Sequence, residues 1–162
     1  MKKVILLGIL VAAWIYGSGY WAFREASVYE FLDKWDEATR RGDAEAMCAT
    51  FTPDMTFSLH DRGTGRLLEK QGGRSEMCDY LHKIVPVMAK AISSENVTRD
   101  NFTMTRHGLH WWTADVSYTE HRDTTLGSKV HVKAISEDHL TLVKTFDGLL
   151  VKKLESEGHL DQ

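Results

Sequence analysis

Eight histidines and two cysteines are the side chains of this 162-residue sequence with the plainest capacity for chemistry. A bound metal wants three or four ligands in defined geometry. The sequence holds no H-x-x-x-H pair and no C-x-x-C pair. His107 and His110 bracket a turn, and His121 and His131 lie on strand-like segments that could approach. Neither pair brings a third ligand, so no metal and no cofactor is expected. Cys48 and Cys78 leave two readings open. They form a disulfide closing a loop of roughly 30 residues, worth about 3 kcal/mol, or they pack as two small apolar thiols. Five aromatic residues, Tyr29, Trp35, Phe57, Trp112 and Tyr118, offer surface for an apolar ligand cavity. Ordinary core packing is the competing reading for each. Tyr118 stands apart because a buried hydroxyl needs a partner. Trp111, of opposite parity to Trp112, is expected on the outer sheet face. Asn96-Val97-Thr98 and Asn101-Phe102-Thr103 fit the glycosylation sequon, but both fall in strand-like sequence and are read as coincidence.

The compartment of these groups is set by the first 23 residues. Met1-Lys2-Lys3 precedes an uncharged run from Val4 to Phe23. Twenty helical residues would reach roughly 30 Å, the thickness of a bilayer core. One reading is a transmembrane anchor, with Trp14, Tyr16, Tyr20, Trp21 and Phe23 in the interfacial half. The other is a signal peptide cleaved after Gly17-Ser18-Gly19. Lys2 and Lys3 keep the short N-terminus inside. Both readings export the rest of the chain: held on a bacterial inner membrane through residues 4–23 and facing the periplasm or the outside, or released as a secreted or periplasmic protein. The exported part carries 18 basic and 23 acidic residues, a net charge of −5. That balance lacks the clustered basic face of a nucleic-acid-binding protein. A hydrophobic share of 43% with five tryptophans excludes disorder.

The elements that must position these residues follow from periodicity. Ser27 and Glu30 form a capping-box pattern. Val28, Phe31, Leu32, Trp35 and Ala38 then recur at helical spacing up to Gly42. Asp43 caps a second, short helix, which Thr52-Pro53-Asp54 stops. Thr56 to Asp61 reads as a strand, with Arg66 to Gln71 as its return. A third helix starts near Ser75 with the stripe Met77, Leu81, Ile84, Val85, Met88 and Ile92, and Pro86 predicts a kink or an early end. From Asn96 the period becomes two. One strand spans Val97–Thr105, and the next places His110, Trp112, Ala114, Val116 and Tyr118 on one face. Val130 to Ala134 begins another strand, which Ser136 to His139 interrupts as a bulge or turn. Leu140 to Phe146 and Leu149 to Leu154 flank Asp147-Gly148, a hairpin signal. The domains are therefore 1–23, an anchor or signal peptide; 27–156, one folded domain; and 157–162, a tail.

Two stretches resemble the nuclear transport factor 2-like superfamily, and most closely its SnoaL-like branch. The first runs from Phe31 through Gly42-Asp43 to Phe51-Thr52-Pro53-Asp54-Met55-Thr56-Phe57. The second is Phe146-Asp147-Gly148-Leu149-Leu150-Val151, with Leu150 where the family commonly has tryptophan. The resemblance implies an α+β fold: a cone-shaped, curved antiparallel sheet covered by three N-terminal helices, with an apolar pocket between the first helix and the concave face. The hydrophobic N-terminal helix would be added to it. In isomerase-like members a carboxylate stands where this sequence has Leu59, so no catalytic base carries over. His60 and Asp61 follow at the wrong face or at the turn. The expectation is a membrane-anchored, exported domain, homodimeric as the resemblance implies, that binds a small apolar ligand or a protein partner without catalysis. The alternatives are a pocket enzyme of isomerase or cyclase type and an assembly component of an envelope or secretion complex.

Overall fold

The computed structural model describes residues 22–62, 68–108, 112–127 and 130–161, with isolated positions before residue 22. From residue 22 onward the described residues form three helices and six strands in the order α1 (Glu25–Arg41), α2 (Ala44–Cys48), β1 (Phe51–Asp61), β2 (Leu68–Gly73), α3 (Arg74–Ala91), β3 (Ile92–His107), β4 (Thr113–Leu126), β5 (Val130–Thr145) and β6 (Gly148–Asp161). The fold is α+β, with a curved sheet ordered β2-β1-β6-β5-β4-β3. The expected all-antiparallel sheet is corrected at one place: β1 and β6 run parallel. The long connection through α3 and four strands permits it, because parallel neighbours need a crossover rather than a tight turn.

Helix α1 begins earlier than the Ser27 pattern suggests. Arg24 is its N-cap, with no side-chain cap. Its carbonyl accepts from the Ser27 and Val28 amides at 2.9 and 3.1 Å, so Ser27 lies within the first turn. Asp43 does cap α2, accepting from the Ala46 amide at 3.0 Å. Gly42 ends α1 at φ +74°, and a Cβ there would lie 3.3 Å from that of Ala89. Glycine thus supplies both the left-handed turn and the room for α3 to approach.

Helix α3 does not stop early at Pro86. It continues to Ala91. Pro86 removes one backbone donor, whereas Met77, Leu81 and Val85 bury apolar surface along the helix. Each such side chain contributes about 1.5–3 kcal/mol when fully buried, enough to offset one missing hydrogen bond. Ser136 to His139 is no interruption either. Strand β5 runs straight through it.

The core sits between the helices and the concave sheet face. Phe23, Val28 and Leu32 from the helical side meet Ala114, Val116, Leu140, Leu142 and Val151 from the sheet, all at most 2% exposed. Cys48 and Cys78 are joined as a disulfide with their Cα atoms 5.6 Å apart, tying α2 to α3.

Candidate functional site

Alternation along β4 carries the core face of Ala114, Val116 and Tyr118 onward to Glu120, Arg122 and Thr124. Pairing then builds the site from neighbouring strands. Tyr118 is opposite Asp138, and Glu120 is opposite Ser136. Asp138 is opposite Ser156 on β6, and Ser156 is opposite Leu59 on β1. One cross-sheet row thus reads Tyr118, Asp138, Ser156, Leu59. Helix α1 closes over it with Leu32, Trp35, Asp36 and Thr39, and the cavity left between them has a volume of about 170 Å³.

Its wall has two characters. Leu32, Trp35, Met47, Leu59 and Leu154 are apolar. Trp35 is fixed by its indole N–H donating to Thr50 Oγ1 at 2.8 Å and by an edge-on contact with Phe51. The remaining wall is charged and paired. Arg99, its side chain only 7% exposed, reaches Asp36 on α1 at 2.5 Å and Glu120 at 2.8 Å. Arg122 reaches the other oxygen of Asp36 at 3.1 Å, Glu120 at 2.7 Å and Glu95 at 2.5 Å. Two guanidiniums thus bridge α1 to β3 and β4. Burial alone would lower the pKa of Arg122, but Glu120, Glu95 and Asp36 hold it above the ordinary arginine value. Both arginines stay charged at any working pH.

Asp138 is held differently. It accepts from the Ser136 hydroxyl at 3.0 Å and from Ser156. Burial pushes its carboxyl pKa up, Ser156 opposes this, and the charge of Glu120 adds to it. Tyr118 is pushed well up, first by burial and then by the charges of Asp138 and Glu120. Its ring lies 5.8 Å from the Arg99 guanidinium. A carboxyl that keeps its proton more readily than usual, beside a neutral phenol, can donate and accept hydrogen bonds at a ligand oxygen. It can also pass a proton.

Of the five aromatic candidates, Trp35 and Tyr118 line this cavity. Phe57 lies in the core, where a Cβ on Gly72 would come within 3.1 Å of its ring. Tyr29 packs against Phe102 as a tilted pair at 5.0 Å and does not line the cavity. Trp112 does not line this cavity: it is 41% exposed and stands just before the first residue of β4. His121 pairs with Ile135 and His131 with Thr125, so the two are four register positions apart. Among the described residues no group of histidine, cysteine and carboxylate side chains could hold a metal. His110 and Trp111 lie outside the described residues. Leu59 does occupy the cavity wall, while Asp61 is exposed at the strand end.

Asp36, Arg99, Glu120, Arg122 and Asp138 are the charged cavity residues that sequence reasoning missed. Continuing the β4 alternation past Thr119 would have found Glu120 and Arg122.

With this geometry the molecule joins a known structural class. ActVI-ORFA from Streptomyces coelicolor superposes with a TM-score of 0.62 at 18% identity, over 82% of this chain and 95% of that one. The beta subunit of benzoate 1,2-dioxygenase from Burkholderia mallei gives 0.62 at 12% identity, over 85% and 91%. A nuclear transport factor 2-like protein of unknown function from Pseudomonas putida gives 0.57 at 13%, over 82% and 84%. The fold is the nuclear transport factor 2-like fold. Such identities speak to fold alone. No family model matches the sequence, and no curated protein matches it.

Proposed function

We propose that this chain is a ligand-binding domain of SnoaL-like type whose cavity takes one compact, uncharged molecule. The observation that carries the reading is the divided cavity wall: apolar side chains on one side, Tyr118, Asp138 and Ser156 on the other. A cavity of about 150 Å³ has room for a benzene-sized ring, so one substituted ring fits. The arginines are already engaged by Asp36, Glu120 and Glu95, which leaves an anionic ligand without a partner and favours a neutral hydroxyl or carbonyl. Phenol and benzoate are the discriminating probes. Phenol should shift the NMR signals of residues around Tyr118, benzoate should not, and Leu154→Trp should abolish the shift by filling the space. Equal binding of both probes, or binding that survives Leu154→Trp, would sink the proposal.

A second reading, a pocket enzyme of isomerase or cyclase type, is favoured by Asp138 itself. A buried carboxyl with a raised pKa beside a phenol is suited to general acid–base work. Asp138→Asn should then keep ligand binding and lose turnover; turnover that persists excludes it.

We further propose that the domain is exported and held at a membrane. Among the described residues no helix is long and apolar enough to cross a membrane, and most of residues 4–23 lie outside them. What supports the reading is that five of the described side chains ahead of residue 22, Leu7, Ile9, Leu10, Val11 and Trp14, are apolar and 49–64% exposed. An apolar helix face of that kind seeks lipid or a partner. Flotation of the full chain with phosphatidylcholine vesicles tests it, and a chain left at the bottom of the gradient refutes it.

A further inference from the structure

The β5–β6 hairpin carries an unexplained residue at its tip. Thr145 pairs with Gly148, so Phe146 and Asp147 are the two loop residues. Such positions normally take asparagine, aspartate or glycine. Phe146 is 88% exposed, and it does nothing for the turn, which Thr145 Oγ1 closes by donating to the Gly148 carbonyl at 3.0 Å. Trp112 lies beside it, tied to β5 by its carbonyl accepting from the Lys144 amide at 2.8 Å. The Lys144 ammonium stands 5.8 Å from the Trp112 ring. Aromatic rings with a lysine among them are the composition of a membrane–water interface.

The N-terminal segment gives this tip its partner. Trp14 lines one small cleft with Trp112, Lys144, Thr145 and Phe146. The hairpin tip is therefore level with Trp14, at the start of the aromatic half of the 4–23 segment. The last residue of the segment is held by the domain. Phe23 is fully buried, and its carbonyl accepts from Arg106 Nε at 3.1 Å and Nη2 at 2.5 Å. Any bilayer that takes in the segment around Trp14 must also meet Phe146. A second cleft at this end, lined by Ala22, Phe31, Phe146 and Leu149 with Lys34 and Glu30, continues the surface. Its formal charges nearly balance: Lys34 pairs with Glu30 at 2.8 Å, and the loop residue Asp147 carries the sign opposite to that of Lys144.

We propose that the Phe146 tip, with Trp112 and Lys144, is a lipid-docking face that seats the domain on the bilayer surface. The proposal rests on the reading of residues 4–23 as a membrane segment. Because the formal charges nearly balance, the contact is apolar and does not require anionic lipid.

The test uses the full chain in phosphatidylcholine vesicles. The Cys48–Cys78 disulfide leaves an added cysteine as the reactive thiol. Phe146→Cys, and separately Asp147→Cys with Phe146 retained, carry an environment-sensitive fluorophore. Glu137→Cys, on an exposed part of β5 far from the tip, is the reference. Labels at 146 and 147 should shift to the blue, lose emission to headgroup-level nitroxide lipid and resist aqueous iodide. The label at 137 should do the reverse. Adding phosphatidylglycerol should change neither. A chain that floats with vesicles while 146 and 147 are as open to iodide as 137 overturns docking and leaves the anchor standing. A chain that does not float overturns both. Protection from iodide without nitroxide quenching puts a protein at the tip and also overturns the proposal.

Discussion

Along β4, Ala114 and Val116 face the same interior as Glu120 and Arg122, yet the two ends of that face are held by different physics. At the first end, Ala114, Val116, Leu140, Leu142 and Val151 are buried with no polar atom to satisfy. Stability there follows buried apolar area and tolerates swaps of similar volume. At the second end, Asp36, Arg99, Glu120 and Arg122 share ion pairs of 2.5–3.1 Å with little exposure. Burying such charges is costly, and their mutual pairing does little more than offset that cost. The apolar end therefore stabilises the fold. The charged end fixes where α1 lies over the sheet, and it leaves the cavity at the boundary between the two.

The largest break in this comparison is to remove one member of the charged end. Glu120→Ala takes a carboxylate from both Arg99 and Arg122, leaving two buried guanidiniums to share Asp36, and should cost about 3–5 kcal/mol in urea unfolding. A cost below that of an exposed pair would mean the cluster is hydrated. Next, Leu140→Ala at the apolar end should cost about 2–5 kcal/mol, while leaving the signals of Tyr118 and Asp138 in place. Loss of those signals would show that the two ends are one unit.

Reduction of the Cys48–Cys78 disulfide should lower stability by about 3 kcal/mol, through the tether of α2 to α3 alone. Thiol titration under denaturing, non-reducing conditions checks the bond first. The smallest effect is a pH dependence. The raised pKa of Asp138 means the folded protein holds that proton at a pH where the unfolded chain has released it. Its contribution is therefore fully present below the ordinary carboxylate pKa and is lost as pH rises through the folded value. Asp138→Asn should remove that loss, so the variant should gain on the parent between acid and neutral pH. A gain toward acid pH would reverse the sign and mean that Asp138 is paired in the folded state.

The apolar end was legible in the sequence because it obeys simple periods. Val28, Phe31 and Leu32 repeat as a helix, and Ala114 and Val116 alternate as a strand. The charged end uses the same periods with residues that patterning reads as surface. Ser136-Glu137-Asp138-His139 looks like a turn by composition, yet Ser136 and Asp138 face inward while Glu137 and His139 face out. Asp36 likewise sits on the buried face of α1, and only Arg99 and Arg122, far along the chain, make that tolerable. Sequence reading had no view of these cross-strand partners. The parallel β1–β6 pair was hidden for a similar reason, since nothing local in either strand names the other.

That pair has a consequence for how the chain is made. Phe51 pairs with Val151, and Leu59 with Ser156. Until the last strand arrives, β1–β2 and β3–β4–β5 are two separate sheets with no strand pairing between them. A nascent chain can form its hairpins and its three-strand meander early, but the two pieces cannot merge before β6 leaves the ribosome. Contacts so distant in sequence slow folding and leave unpaired strand edges exposed in the meantime. A chain bound for export would gain from that delay, because it reaches the translocation machinery before its sheet can close.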